Sequence, residues 1–216
     1  MPRVLILFFA LSLGVYAQSP TPRSVIVFGD SITAGGALSQ AQRGQLWVTQ
    51  VQQQSAGALT LINEGKGGRP TNSLAEFDAM LTRHAKADAL VIALGMNDSR
   101  DITPQCIPKA LANVRAMIEK ARAAYGAKLP VLLVGPTNIN KAALGPTKPI
   151  ANEREANLRE LGAAFEKLAA ETKSEYVSLF GIVPDSSLLK DGVHPDGAGN
   201  DAIAKVMGEK LKALRW

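Results

Sequence analysis

Three features of the sequence predict a three-layer α/β/α sandwich around a five-stranded parallel sheet. Five short apolar runs are continuous rather than alternating, as strands buried on both faces require. Segments with three- and four-residue apolar spacing separate them, the mark of amphipathic helices. The chain has 216 residues, 46% hydrophobic and 20% charged, which suits one domain with a sizeable core and excludes wholesale disorder.

The elements follow in order. Residues 25–28 (VIVF) form the first run, ended by Gly29. A helix is predicted over 46–56 and a strand over 59–62 (LTLI). Leu74, Phe77 and Leu81 mark a helix within 71–87, and 89–94 (ALVIAL) is the third strand. Ile107, Leu111, Val114, Ile118 and Ala121 mark the next helix, with Thr103 as its N-cap and Pro104 at its first position. The fourth strand is 131–134 (VLLV), followed by a loop over 136–151 rich in Pro, Gly, Asn and Lys. Leu158, Leu161, Phe165 and Leu168 mark another helix, and 176–179 (YVSL) the last strand. Ile203, Val206, Met207, Leu211 and Leu214 close the pattern as the final helix. Strands alternating with helices imply crossover connections and a parallel sheet.

Residues 1–17 read as a signal peptide: basic Arg3, the apolar run 4–15, then Val15 and Ala17 as the small residues three and one before a cut. Polar residues from Gln18 arrive too early for a span of about 20 apolar residues. The expected mature chain is therefore 18–216, a single domain without a membrane span, secreted or periplasmic. The net charge of +5 is carried by scattered residues without aromatic interleaving, so no nucleic-acid partner is expected. One cysteine, Cys106, and two histidines, His84 and His194, exclude a disulfide framework and argue against a metal centre. No cofactor is expected.

Sheets of this kind place ligands at the carboxyl ends of their strands. Ser31 stands just past the first strand, where it is either a helix cap or a nucleophile in need of a base. His84, beside Arg83 and Lys86, reads as a solvated surface residue. His194 lies three residues after Asp191 in a Gly/Pro-rich turn. A carboxylate at that spacing can hold the imidazole Nδ1–H and leave Nε2 free for a serine proton. The plain alternative is a turn held by an Asx contact. Donors for an oxyanion are available from the Ser31 N–H, from the loop with Gly67 and Gly68, and from the Asn97 amide. Each of these also reads as an ordinary turn residue.

Taken together, the residues resemble the SGNH (GDSL-type) hydrolases. Phe28-Gly29-Asp30-Ser31-Ile32-Thr33 resembles the first block and implies Ser31 as nucleophile. Asn63 with Gly68 resembles the second, implying Gly68 as oxyanion glycine with Gly67 as the near alternative. Gly95-Met96-Asn97-Asp98 resembles the third, implying Asn97 as oxyanion donor. Asp191-Gly192-Val193-His194-Pro195 resembles the last, implying Asp191 and His194 as acid and base. The resemblance implies a flavodoxin-like α/β/α fold and a serine esterase working through an acyl-enzyme, with no metal or organic cofactor. No G-x-S-x-G, H-E-x-x-H, P-loop or G-x-G-x-x-G motif competes with it.

The continuation Gly68-Arg69-Pro70-Thr71 resembles carbohydrate O-acetylesterases of the family. Lys66 and Arg69 are candidate contacts to an acidic sugar such as a uronate. The alternative is that they face solvent or pair with Glu64 and Asp98. With 5% aromatic residues and no obvious apolar lid, a small acyl group, foremost acetyl, on a carbohydrate is the expected substrate. A short-chain arylesterase or lysophospholipase-type lipase is the main rival. An acyltransferase or a non-catalytic carbohydrate-binding protein is the alternative from another class.

Overall fold

A computed structural model describes residues 21–216, so the expected signal peptide at 1–17 lies outside the described residues. Its elements run β1 (Arg23–Gly29), α1 (Ser31–Ala34), α2 (Trp47–Gln54), β2 (Leu59–Gly65), α3 (Leu74–Arg83) and β3 (Ala89–Ala93). The second half adds α4 (Cys106–Tyr125), β4 (Val131–Val134), α5 (Ala151–Glu171), β5 (Glu175–Val177) and α6 (Gly197–Ala213). All strand pairs are parallel, in the order β2-β1-β3-β4-β5.

The continuous apolar runs have their cause in this sheet. Successive side chains alternate between its faces, and both faces are covered. Val25, Val27 and Val91 enter one core with residues of α2 and α6. Ile26, Phe28, Leu90 and Ile92 enter a second core with α3, α4 and most of the buried face of α5. There the Phe28 and Phe77 rings meet edge to face at 5.0 Å between centroids. Burial of each such ring contributes about 1.5–3 kcal/mol.

Several boundaries differ from expectation. β2 runs on to Gly65 because it is an edge strand with Thr60 and Asn63 exposed, so its second half carries no apolar signal. The helix expected from Thr103 begins at Cys106. The Thr103 N–H is taken by Asp101 Oδ1 at 3.0 Å and its carbonyl by the Cys106 N–H at 3.1 Å, so a turn replaces the cap. The helix placed within 71–87 is confined to α3, and the long loop after β4 ends in a short 3-10 turn, Lys148–Ile150.

The strand order sets the place of the site. The chain leaves β1 for β2 on one side and returns to β3 on the other, so a crevice opens where the direction reverses. The register pairs Gly29 with both Gly65 and Ala93, and the loops after β1, β2 and β3 therefore emerge side by side.

Candidate active site

Ser31 owes its position to its neighbours. Asp30 caps α1, its Oδ1 accepting the Ile32 N–H at 2.9 Å, which starts the helix at Ser31 directly beyond β1. Gly29 makes this tight turn feasible, since a Cβ there would lie 2.1 Å from Thr33 Oγ1. Asp30 itself is 3% exposed. Burial pushes its carboxyl up to about 6, against the opposing pull of the Ile32 N–H and of His194.

His194 reaches Ser31 from the far end of the sequence, its Nε2 lying 2.8 Å from the serine Oγ. Its Nδ1 lies 2.6 Å from Asp191 Oδ2. Asp191 Oδ1 accepts the N–H groups of Val193 (2.9 Å) and His194 (3.0 Å), so one carboxylate shapes the turn and orients the ring. Partial burial raises the Asp191 carboxyl, but those N–H groups and the imidazole outweigh it and hold it below the usual carboxylate value. The turn is clasped on both sides. An antiparallel bridge joins Leu188 to Pro195, and the Asn140 N–H donates to the Gly192 carbonyl at 2.8 Å. Gly192 has φ +69°, and a Cβ there would meet the Asn140 carbonyl at 2.5 Å. Asp196 then caps α6, and buried Asn200 accepts the Trp47 N–H, tying α6 to the start of α2.

Gly68 and Asn97 stand on the two flanking loops. Gly68 is exposed with φ +73°, whereas Gly67 has no positive φ. The Asn97 Nδ2 donates to the Arg69 carbonyl at 3.1 Å, so the loops after β2 and β3 are joined next to the serine. Its second N–H remains for another acceptor. Beneath them, Asp98 accepts the Thr71 N–H at 3.1 Å and its hydroxyl at 2.5 Å. Burial raises the Asp98 carboxyl against those bonds.

Arg69 corrects the expected contact with substrate. It is 6% exposed, its Nε on Glu76 Oε2 at 2.9 Å and its Nη1 on the carbonyls of Gly29 (2.8 Å) and Glu64. Its guanidinium also covers the Phe28 ring. Backbone carbonyls at the end of β1 and β2 claim it, so it holds the loop rather than facing a sugar. Lys66 is exposed, with its amine 2.5 Å from Glu76 Oε1. The carboxylate that pairs with both is that of Glu76 on α3, not those of Glu64 or Asp98. His84 is corrected too: it is half-buried, with Nε2 2.6 Å from Glu64 Oε1.

The sequence reading missed Arg154 on α5, which is 1% exposed. It donates to Ser99 Oγ (3.1 Å) and Thr147 Oγ1 (2.9 Å) and reaches the Met96 carbonyl (3.5 Å). It thus braces the turn that carries Asn97. Among the described residues no carboxylate pairs with it, and burial lowers its pKa to about 10. Its sequence neighbours, mostly polar, gave no sign of burial. Among the described residues, no group of three or more His, Cys, Asp or Glu converges as for a metal ion.

A parallel sheet with a serine, an imidazole and a carboxylate linked at its switch point defines the class, a serine hydrolase, and the family to which the chain belongs makes it a carboxylic ester hydrolase. The chain belongs to the GDSL-like lipase/acylhydrolase family, whose profile matches residues 27–202. It is 30% identical over 223 aligned positions to the esterase TesA of Pseudomonas aeruginosa, across 98% of this chain and 99% of that protein. Two solved structures share the fold. Est24, a carbohydrate acetylesterase from Sinorhizobium meliloti, has a TM-score of 0.74 at 22% identity over 89% of this chain and 99% of its own. The aryl esterase of M. smegmatis has a TM-score of 0.73 at 23% identity over 89% and 99%.

Proposed function

We propose that this chain is an exported serine esterase that removes small acyl groups, foremost acetyl, from carbohydrates. The observation that carries the mechanism is the unbroken chain from Ser31 Oγ through the His194 ring to Asp191, at 2.8 and 2.6 Å. In this reading Ser31 Oγ attacks the ester carbonyl while His194 Nε2 takes its proton. Asp191 holds the Nδ1–H tautomer and stabilises the imidazolium. The Ser31 and Gly68 N–H groups and the free Asn97 N–H receive the oxyanion. The imidazolium then protonates the departing alcohol, and a water deprotonated by His194 releases the acid.

The small acyl group is supported by the surface. Among the described residues Ile102, 51% exposed, is the one large exposed hydrophobic, which gives a long acyl chain little to lie on. The carbohydrate part draws on the sequence resemblance at Gly68-Arg69 and on the likeness to Est24. Export rests on the composition of residues 1–17. The likeness to the M. smegmatis aryl esterase favours a second reading, an arylesterase acting on small aromatic esters.

Hydrolysis of p-nitrophenyl esters from C2 to C12 tests this, with Ser31→Ala and His194→Ala beside wild type. The expected result is a maximum at C2, with kcat reduced on the order of 10⁴-fold or more in both variants. Acetylated xylan and pectin fragments follow. A maximum at C8–C12 overturns the small-acyl reading, and full activity in Ser31→Ala overturns the mechanism.

A further inference from the structure

Next to Asn97, on the α3/α4 side of the sheet edge, lies a hollow of about 470 Å³. Pro70 and Asn72 form one wall, Asn97, Asp98 and Asp101 another, and the first turns of α4 the third, through Lys109 and Asn113. It opens beside the proposed oxyanion donor, whereas His194 comes from the opposite face, where α6 packs against α2.

The chemistry of the walls is specific in kind. Among the described residues, the Lys109 amine forms no ion pair and the Asn72 amide no hydrogen bond within the chain. Asn113 gives Nδ2 to Thr71 Oγ1 at 3.3 Å, which leaves its Oδ1 as an acceptor. Thr71 is buried and bound to Asp98, so this wall is fixed in advance. Free donors (Asn72, Lys109) therefore face an open acceptor, Asn113 Oδ1, and the Asp101 carboxylate, which already holds the Thr103 N–H, across one hollow. Hydroxyl groups both donate and accept, and match such a mixture; a hydrocarbon chain matches neither. One amine stands among two carboxylates, so an added acid group would be repelled.

We infer that this hollow is a subsite for a neutral, hydroxylated sugar unit adjoining the esterified one. The inference rests on the proposed esterase reading and deepens it by naming the wider substrate: a neutral oligosaccharide rather than the uronate polymer that Lys66 and Arg69 suggested. The reacting unit lies over Ser31 and His194, and its neighbour in the chain fills the hollow.

The test compares kcat/KM on acetylated xylotetraose, acetylated trigalacturonate and p-nitrophenyl acetate, in wild type and in the double variant Asn72→Ala/Lys109→Ala. Both residues are exposed, and circular dichroism checks that the variant is folded. Wild type is expected to prefer the neutral oligosaccharide. In the variant, the ratio of xylotetraose to p-nitrophenyl acetate kcat/KM is expected to fall about tenfold, mainly through KM, as two lost hydrogen bonds imply. If xylotetraose is deacetylated but that ratio stays within twofold of wild type, the subsite falls and the esterase reading stands. Preference for the galacturonate also overturns the subsite. If wild type cleaves p-nitrophenyl acetate and no sugar acetate, the carbohydrate reading and the subsite fall together.

Discussion

The guanidinium of Arg69 lies 4.0 Å from the centroid of the Phe28 ring, three residues before the candidate nucleophile. The residue whose carbonyl holds Asn97 is thereby anchored to the strand that presents Ser31. Removing it with Arg69→Ala strips a cation from the ring and takes one donor from each of the Gly29 and Glu64 carbonyls, the former keeping the Lys66 N–H. We expect a loss of about 3 kcal/mol in urea unfolding, with a fall in kcat larger than the change in KM. Arg69→Lys keeps the charge but not the planar fork and should fall between the two. An Arg69→Ala protein of unchanged stability would show that the anchor carries nothing.

Asp30 makes stability fall with rising pH. Its carboxyl titrates near 6 in the fold against 3.8 as an ordinary aspartate, so the native state binds the extra proton between these values. The cost of the buried charge is absent below the lower value and complete above the higher one. Asp30→Asn keeps an acceptor for the Ile32 N–H and loses the titration. Relative to wild type, it should gain up to roughly 3 kcal/mol between pH 4 and pH 8 in urea unfolding. An equal difference at both pH values would show that Asp30 does not titrate in this window.

Gly192→Ala probes the clasp around Asp191 and His194. An alanine there must hold a left-handed backbone and press on the Asn140 carbonyl. The expected cost is about 2 kcal/mol, read as a lowered Tm, with kcat reduced on the order of 10²-fold. Wild-type kcat in this variant would show that the turn tolerates displacement.

Arg154 separates packing from charge. Arg154→Ala leaves a void and takes a donor from Thr147 Oγ1 and from Ser99 Oγ, which keeps only its bond to the Met96 carbonyl, and should cost about 3 kcal/mol. Arg154→Met fills much of the space and removes an uncompensated buried cation, so it should stay within about 1.5 kcal/mol of wild type in urea unfolding. If the two variants are equally unstable, the polar contacts outweigh the packing.

The sheet was legible because its central strands are buried on both faces, leaving no polar interruption from Val25 to Phe28 or from Ala89 to Ile92. β2 was legible only in its first half, since an edge strand mixes exposed polar residues into the run. The positions of Ser31 and of Asp191 with His194 could be read because local rules act on them: a cap past a strand, and a carboxylate three residues from a ring. Arg69, Arg154 and His84 could not be read in that way. Their partners are backbone carbonyls, hydroxyls and a glutamate far away in sequence, and a charged residue reads as surface until those partners are known. Pairing between Asn97 and the Arg69 carbonyl is likewise a product of strand register, which no local pattern encodes.

Asp191 and His194 share a single small loop, while Ser31 stands on another element 163 residues from His194 in sequence. The loop is closed by its own bridge and continues directly into α6, whose fastening to α2 runs through Asn200 and Trp47. Asp191 and His194 thus move as one cassette, and the bond between them survives any motion of α6 that does not unfold the turn. The joint that such a motion parts is the one between imidazole and serine. Activity in this molecule therefore gauges how firmly α6 with its loop, fastened to α2 and to Asn140, is held against β1 with its turn.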